Sequence, residues 1–277
     1  MTSALERTGT WVKNHWLAGI DEDRMRWIRR GYEGVLSMVN LGRGVPRTIN
    51  GRESIRVSPR HRYVDETYEP EVFELLMREM GPDDVVFDIG AYIGIYAIIL
   101  SRHLGENGRV HAFEPAPESA KLLLEHLELN DACHKVSVWQ CGVSSQCGRA
   151  RLFASSAHIQ NSFSADAFDD QSPTAAVEVP VVSIDAFCAR ESVRPTWVKV
   201  DTEGWEMHVL EGAENLISTE AHVRFIVEMH PYAWGSAGYD ARSFRSYCRD
   251  RRLHVEPLTG QSDPFEEYGQ VLMSVRD

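Results

Sequence analysis

The stretch Val85-Val86-Phe87-Asp88-Ile89-Gly90-Ala91-Tyr92-Ile93-Gly94 decides the fold. A run of apolar residues broken only by Asp88 reads as a buried strand. Gly90 then permits a tight turn, and Gly94 lets a helix over 95–104 approach the sheet. At the end of that strand, Asp88 can bond into the turn or toward a ligand's ammonium group. A dinucleotide fingerprint would place a second glycine at position 92, so that the backbone could approach a pyrophosphate. Tyr92 stands there instead, which disfavours a nicotinamide or flavin nucleotide and suits a nucleoside cofactor without a pyrophosphate.

Outward from this turn the chain alternates strands and helices. A helix over 72–80 precedes the turn and ends at Gly81-Pro82. A second strand over 110–113 is followed by Glu114, about twenty residues beyond Gly94, where a carboxylate can accept both hydroxyls of a ribose. Then come a helix over 117–129, a third strand over 136–140, a fourth over 197–200, one helix carrying Met207 to Ile217, a fifth strand over 223–228 and a helix over 244–251. Segments 254–258 and 271–275 supply closing strands. This rhythm predicts a doubly wound, mainly parallel α/β sheet with its ligand in the crevice beyond the carboxyl ends of the strands. The stretch 149–187 interrupts the rhythm. Strands over 151–153 and 177–182 flank a Ser/Asp/Ala-rich excursion, 155–176, which is expected to be mobile at the ligand edge.

Two further strand ends carry chemistry. Val198-Lys199-Val200-Asp201-Thr202-Glu203-Gly204-Trp205-Glu206 puts Asp201 in the same crevice as Asp88 and Glu203 in the turn; Glu206 falls on a first helical turn, where the dipole favours a carboxylate. Val227-Glu228-Met229-His230-Pro231 brings Glu228 and His230 beside Asp201. The catalytic set is therefore His230, Asp201 and Glu203, with His230 and Asp201 as the candidate bases. The alternative is Mg²⁺ on Asp201 and Glu228; the set as read includes no metal.

These segments, with His111-Ala112-Phe113-Glu114-Pro115, resemble the FkbM family of methyltransferases from about Gly51 to the C-terminus. The resemblance implies a class I methyltransferase sheet of seven strands, one of them antiparallel, with S-adenosylmethionine as donor. The acceptor it implies is usually an oxygen on a natural product or sugar. It places Asp88, Gly90 and Gly94 at the methionine end, Glu114 at the ribose and Gly142-Val143 at the adenine. Ala91, Tyr92 and Pro115, from the same segments, count with the cofactor site. The family norm at position 92 is a small polar residue, often Asn. A cofactor-binding protein without catalysis and a nucleotide-cofactor oxidoreductase are the competing readings.

Composition sets the outer bounds. With 277 residues, 43% hydrophobic and 25% charged, the chain can build one large domain plus an appendage. The net charge of −12 argues against a nucleic-acid surface. No stretch approaches the ~18 consecutive apolar residues of a membrane span. Five cysteines without a C-x-x-C pair suggest free thiols, hence a cytoplasmic enzyme. Residues 1–47 form an N-terminal extension ahead of the 48–277 domain. A helix capped by Asp21 should bury Met25, Ile28, Tyr32, Val35, Leu36 and Val39, and Arg24, Arg26, Arg29 and Arg30 should form a solvated face. A hairpin should turn at Asn50-Gly51 between 47–49 and 54–57. The extension is ordinary packing, with a lid or a homodimer contact as the sharper role.

Overall fold

The computed structural model describes residues 22–40, 42–154, 161–163 and 175–275. The chain divides into two compact units, residues 1–68 and 69–277.

In the first unit, helix α1 (Glu22–Val39) precedes an antiparallel hairpin, β1 (Val45–Ile49) and β2 (Glu53–Val57). Asn50 and Gly51 take left-handed backbone at φ 51° and 67°, as such a turn demands, and the Arg52 N–H donates to the Ile49 carbonyl at 3.0 Å. The hairpin belongs to this compact unit, which ends at Tyr68. Of the apolar stripe expected on α1, Leu36 is buried, but Val35 and Val39 are exposed. The expected Asp21 cap lies outside the described residues, as do the side chains of Arg24, Arg26, Arg29 and Arg30.

The second unit follows the predicted rhythm: α2 (Pro70–Glu79), β3 (Val85–Ile89), α3 (Ile95–His103), β4 (Arg109–Phe113), α4 (Pro117–Leu129), β5 (Val136–Trp139), β6 (Gly142–Val143), β7 (Gly148–Ala154), β8 (Asn161–Ser162), β9 (Ala175–Val182), α5 (Ile184–Glu191), β10 (Trp197–Val200), α6 (Glu206–Glu211), α7 (Glu214–Thr219), β11 (Arg224–Met229), a 3₁₀ turn (Pro231–Ala237), α8 (Ala241–Asp250), β12 (Leu253–Pro257) and β13 (Gly269–Val275). Seven strands form the sheet in the order β12-β13-β11-β10-β3-β4-β5, and β13 alone runs antiparallel to its neighbours. Connections from β3 go to β4 on one side, and the chain later returns with β10 on the other. The crevice beyond β3 and β10 is therefore the switch point at which such sheets bind ligands. Strands buried on both faces explain the continuous apolar runs: Phe87, Phe113, Val198, Val200 and Phe225 are at most 1% exposed.

Three local features differ from the sequence reading. The helix expected to run from Met207 to Ile217 is two helices. Gly212 sits so close to the Ser144 carbonyl that a Cβ there would lie 2.2 Å from the oxygen. Asp185 accepts from the Asn215 and Leu216 N–H groups and so caps a new helix. Helix α5 was not anticipated; the Ser183 hydroxyl caps it by accepting from the Ala186 N–H at 3.2 Å. The strands flanking the excursion are longer than expected and form one antiparallel ladder from Gly148↔Val181 to Ala154↔Ala175, with β8 paired on its outer edge. Most of the excursion expected to be mobile lies outside the described residues.

Candidate active site

Gly90 holds φ 82° where the ends of β3 and β10 converge, and a Cβ there would lie 1.7 Å from the Asp201 carbonyl oxygen. No other residue fits. The Gly90 and Ala91 N–H groups both donate to the Phe113 carbonyl, at 3.0 and 3.1 Å, which ties the turn to β4. Gly94, at φ 85°, starts α3 against Leu123 of α4. Between them Tyr92 also adopts left-handed backbone, φ 48°. That conformation explains why an Asn suits the position, since Asn tolerates it better than most residues.

The Tyr92 N–H donates to Glu114 Oε2, and the Ala116 N–H donates to Glu114 Oε1, both at 2.8 Å. Glu114 is buried, and burial pushes its carboxyl up to about 7 against the pull of those two N–H groups. Half-buried Pro115 links it to Ala116. Asp88 is 2% exposed, and its Oδ2 has no hydrogen-bond partner among the described residues. Burial raises its carboxyl to about 6, with Lys199 opposing and Asp201 adding to the rise. A buried, unpartnered carboxylate oxygen beside a glycine turn, and a second carboxylate with acceptor capacity to spare, fit the ammonium and ribose of S-adenosylmethionine. Gly142 and Val143 are less direct. Val143 packs into the main core, and Gly142 lies under the Phe163 ring, whose cluster includes Ala116.

Across the crevice the predicted catalytic residues converge. His230 is 2% exposed; its Nδ1 lies 2.9 Å from Glu206 Oε1 and its Nε2 lies 3.3 Å from Glu203 Oε2. Burial alone would depress the imidazole, but the hydrogen bond and charge of Glu206, with Glu203 and Glu228, lift it to about 10. Both ring nitrogens thus face carboxyl oxygens, an arrangement that favours the imidazolium. Burial pushes the Glu203 carboxyl up to about 7, with Asp201 and Glu206 adding to the rise and His230 opposing it. Burial would likewise raise Asp201, but Lys199 at 3.3 Å, His230 and a hydrogen bond shared with Glu228 hold it below the usual carboxylate range. Burial and the neighbouring Asp201 push the Glu228 carboxyl up to about 8.

The sequence reading missed several members of this cluster. Lys199 is 5% exposed, lies 3.5 Å from Glu69 and 3.3 Å from Asp201, and sits 5.0 Å above the Tyr96 ring. A lone charge in an otherwise apolar strand was the signal. Gln270 Nε2 donates to Glu228 Oε1 at 3.0 Å, and the Tyr268 hydroxyl donates to the same oxygen. Glu206, which the sequence left divided between helix-terminal stabilisation and function, is fully buried and bonded to His230 and Trp234.

A model of the FkbM methyltransferase domain matches residues 88–254. The chain is 30% identical over 189 residues to the hexuronic acid methyltransferase AglP of Haloferax volcanii, covering 68% of this chain and 71% of that protein. The chain belongs to the FkbM methyltransferase family. As a family member it is an S-adenosylmethionine-dependent methyltransferase, and the order of its central sheet is that of the class I fold. A second relative, the 31-O-demethyl-FK506 methyltransferase FkbM of Streptomyces tacrolimicus, is 42% identical over 93 residues, 32% of this chain and 34% of that protein. A solved O-methyltransferase from Bacillus cereus covers 100% of both chains with a TM-score of 0.48 at 13% identity. Among the described residues, no helix is long and apolar enough to cross a membrane, and all five cysteines are free.

Proposed function

We propose that this methyltransferase methylates a hydroxyl oxygen of a small-molecule acceptor, a sugar or a natural product, in the cytoplasm. Two relatives support the acceptor class, one named for hexuronic acid and the other for an O-demethyl natural product. The observation that carries the reading is the pairing of two half-sites in one crevice. Asp88 and Glu114, at the ends of β3 and β4, would hold the donor, and Glu203, whose carboxyl is raised to about 7, lies in the turn after β10, the strand paired with β3.

S-adenosylmethionine supplies an already electrophilic methyl group, so the chain's task is to align the acceptor oxygen and take up its proton. Asp88 would meet the ammonium, Glu114 the ribose hydroxyls, the backbone of Gly90, Ala91 and Tyr92 the methionine end, and Gly142 the adenine edge. Glu203, with its carboxyl near 7, suits the acid–base role better than His230. Asp201, paired with Lys199 and bonded to Glu228, would border the acceptor. Glu69, Asp201 and Glu228 lie close enough together to suggest a divalent cation, but the Lys199 ammonium already bridges Glu69 and Asp201. A metal there would have to displace it.

The test is mass-spectrometric screening of sugar and natural-product hydroxyl acceptors with S-adenosylmethionine. With the responding acceptor, Glu203→Gln should lower turnover by about 10²–10⁴ while donor affinity holds. Turnover should also persist in EDTA. Absence of donor binding would overturn the reading, and chelator-sensitive turnover restored by Mg²⁺ would replace the base with a metal.

A further inference from the structure

Glu206 accepts two N–H groups and faces a ring nitrogen of His230. Its Oε1 takes the Gly204 backbone N–H at 2.8 Å and faces His230 Nδ1 at 2.9 Å, and its Oε2 takes the Trp234 indole N–H at 2.7 Å. The side chain is 0% exposed, and the Trp234 side chain that helps hold it is 1% exposed. With both oxygens occupied as acceptors, the hydrogen between Glu206 and the ring must sit on Nδ1, which fixes the tautomer and the ring plane. Nε2 then lies 3.3 Å from Glu203 Oε2, an oxygen with no hydrogen-bond partner among the described residues. The groups that lift the ring are acidic, Glu206 from α6, Glu203 from the β10–α6 turn and Glu228 from β11, and Asp201 of the same turn pairs with the Lys199 ammonium of β10. The rings of Tyr232 and Tyr268 flank it at 5.8 and 5.3 Å.

We propose that Glu206 is a positioning residue that locks His230 as a two-armed N–H donor, so that the ring serves as a fixed positive charge aiming the Glu203 carboxylate at the acceptor hydroxyl. This rests on the reading of the crevice as a site of methyl transfer to a hydroxyl. As the acceptor oxygen bonds to the methyl carbon, the carbon–sulfur bond breaks and its electron pair returns to sulfur. The hydroxyl proton passes to a Glu203 oxygen, and the His230 N–H groups neither gain nor lose a proton. Glu206 touches no reacting atom; it acts through the ring and through the Gly204 backbone of the same turn that carries Glu203.

The experiment is ¹⁵N NMR of the histidine rings in the full chain, with His230 assigned by its disappearance in His230→Gln, alongside calorimetric titration with S-adenosylmethionine. In the wild type both ring nitrogens should carry protons at pH 8. In Glu206→Gln the ring should lose its proton more readily, its midpoint falling by about 1–3 pH units. Glu203→Gln should shift it less, because Nδ1 keeps its partner. A neutral ring at pH 8 in the wild type would overturn the lock, a result that needs no variant to fold; so would an unchanged midpoint in Glu206→Gln. Failure of the lock with intact donor binding would leave the methyl-transfer reading standing. A protonated ring in a protein that does not bind S-adenosylmethionine would defeat that reading and leave the lock.

Discussion

In the proposed donor site Glu114 would link fold and cofactor. Each of its oxygens is already engaged by a backbone N–H, from Tyr92 and from Ala116, so the carboxylate is oriented before any ligand arrives. Each oxygen keeps a second lone pair for a ribose hydroxyl. The same burial that orients it pushes its carboxyl up to about 7, and a neutral carboxyl is the poorer acceptor. Donor affinity should therefore rise with pH through about 7 and weaken as pH falls below it, with proton release on binding near neutrality. Calorimetry in buffers of different ionisation enthalpy reads both quantities. Glu114→Ala should cost about 1.5–3 kcal/mol of binding and flatten that dependence. A pH-independent affinity in the wild type would take Glu114 out of the ribose site.

At the scale of elements, α7 owes its start to a residue outside it. Asp185, in the first turn of α5, accepts from the Asn215 and Leu216 N–H groups at 2.8 and 2.9 Å and so caps a helix 30 positions further on. Asp185→Ala should destabilise the fold by about 0.5–2 kcal/mol, read by chemical denaturation, with donor affinity unchanged. An unchanged midpoint would mean that water replaces the cap at no cost. This long-range cap also marks the limit of what local sequence could show. Strands β3, β4, β10 and β11 were legible because burial on both faces leaves nearly unbroken apolar runs. The placement of Asp88, Glu114, Asp201, Glu203 and His230 at one edge was legible because parallel strands deliver their last residues there. The break between α6 and α7 was not, because it depends on Gly212 meeting the Ser144 carbonyl, a contact that helical periodicity does not encode. Nor were Tyr268 and Gln270, which reach Glu228 only through the antiparallel register that sets Gln270 opposite it. Glu206 carries the same signature as an ordinary helix-start carboxylate; only its burial reveals that it serves His230.

Across the whole molecule, the site is a reservoir of carboxyls held from water, and this should appear in the stability of the ligand-free protein. Burial raises Asp88 to about 6, Glu114 and Glu203 to about 7 and Glu228 to about 8. Unfolded, these groups titrate near 3.8 for Asp and 4.5 for Glu. Between those values the folded chain holds more protons than the unfolded chain, so stability falls as pH rises. His230 adds to the same slope. Raised from 6.5 to about 10, it contributes stability that is fully present below 6.5 and lost as pH climbs through 10. Asp201, held low, acts in the opposite sense, but its window lies below 3.8, outside the range. The thermal midpoint of the free enzyme should therefore decline steadily from about pH 6 to about pH 9, as acid-rich sites desolvated by folding require. S-adenosylmethionine, a cation meeting ionised Asp88 and Glu114, should raise the midpoint more at pH 8 than at pH 6. Differential scanning calorimetry with and without donor measures both trends. A midpoint that is flat or rising over that range would show that the crevice carboxyls remain hydrated in the free protein, and the charge assignments for Glu203 and Glu228 would fall with it.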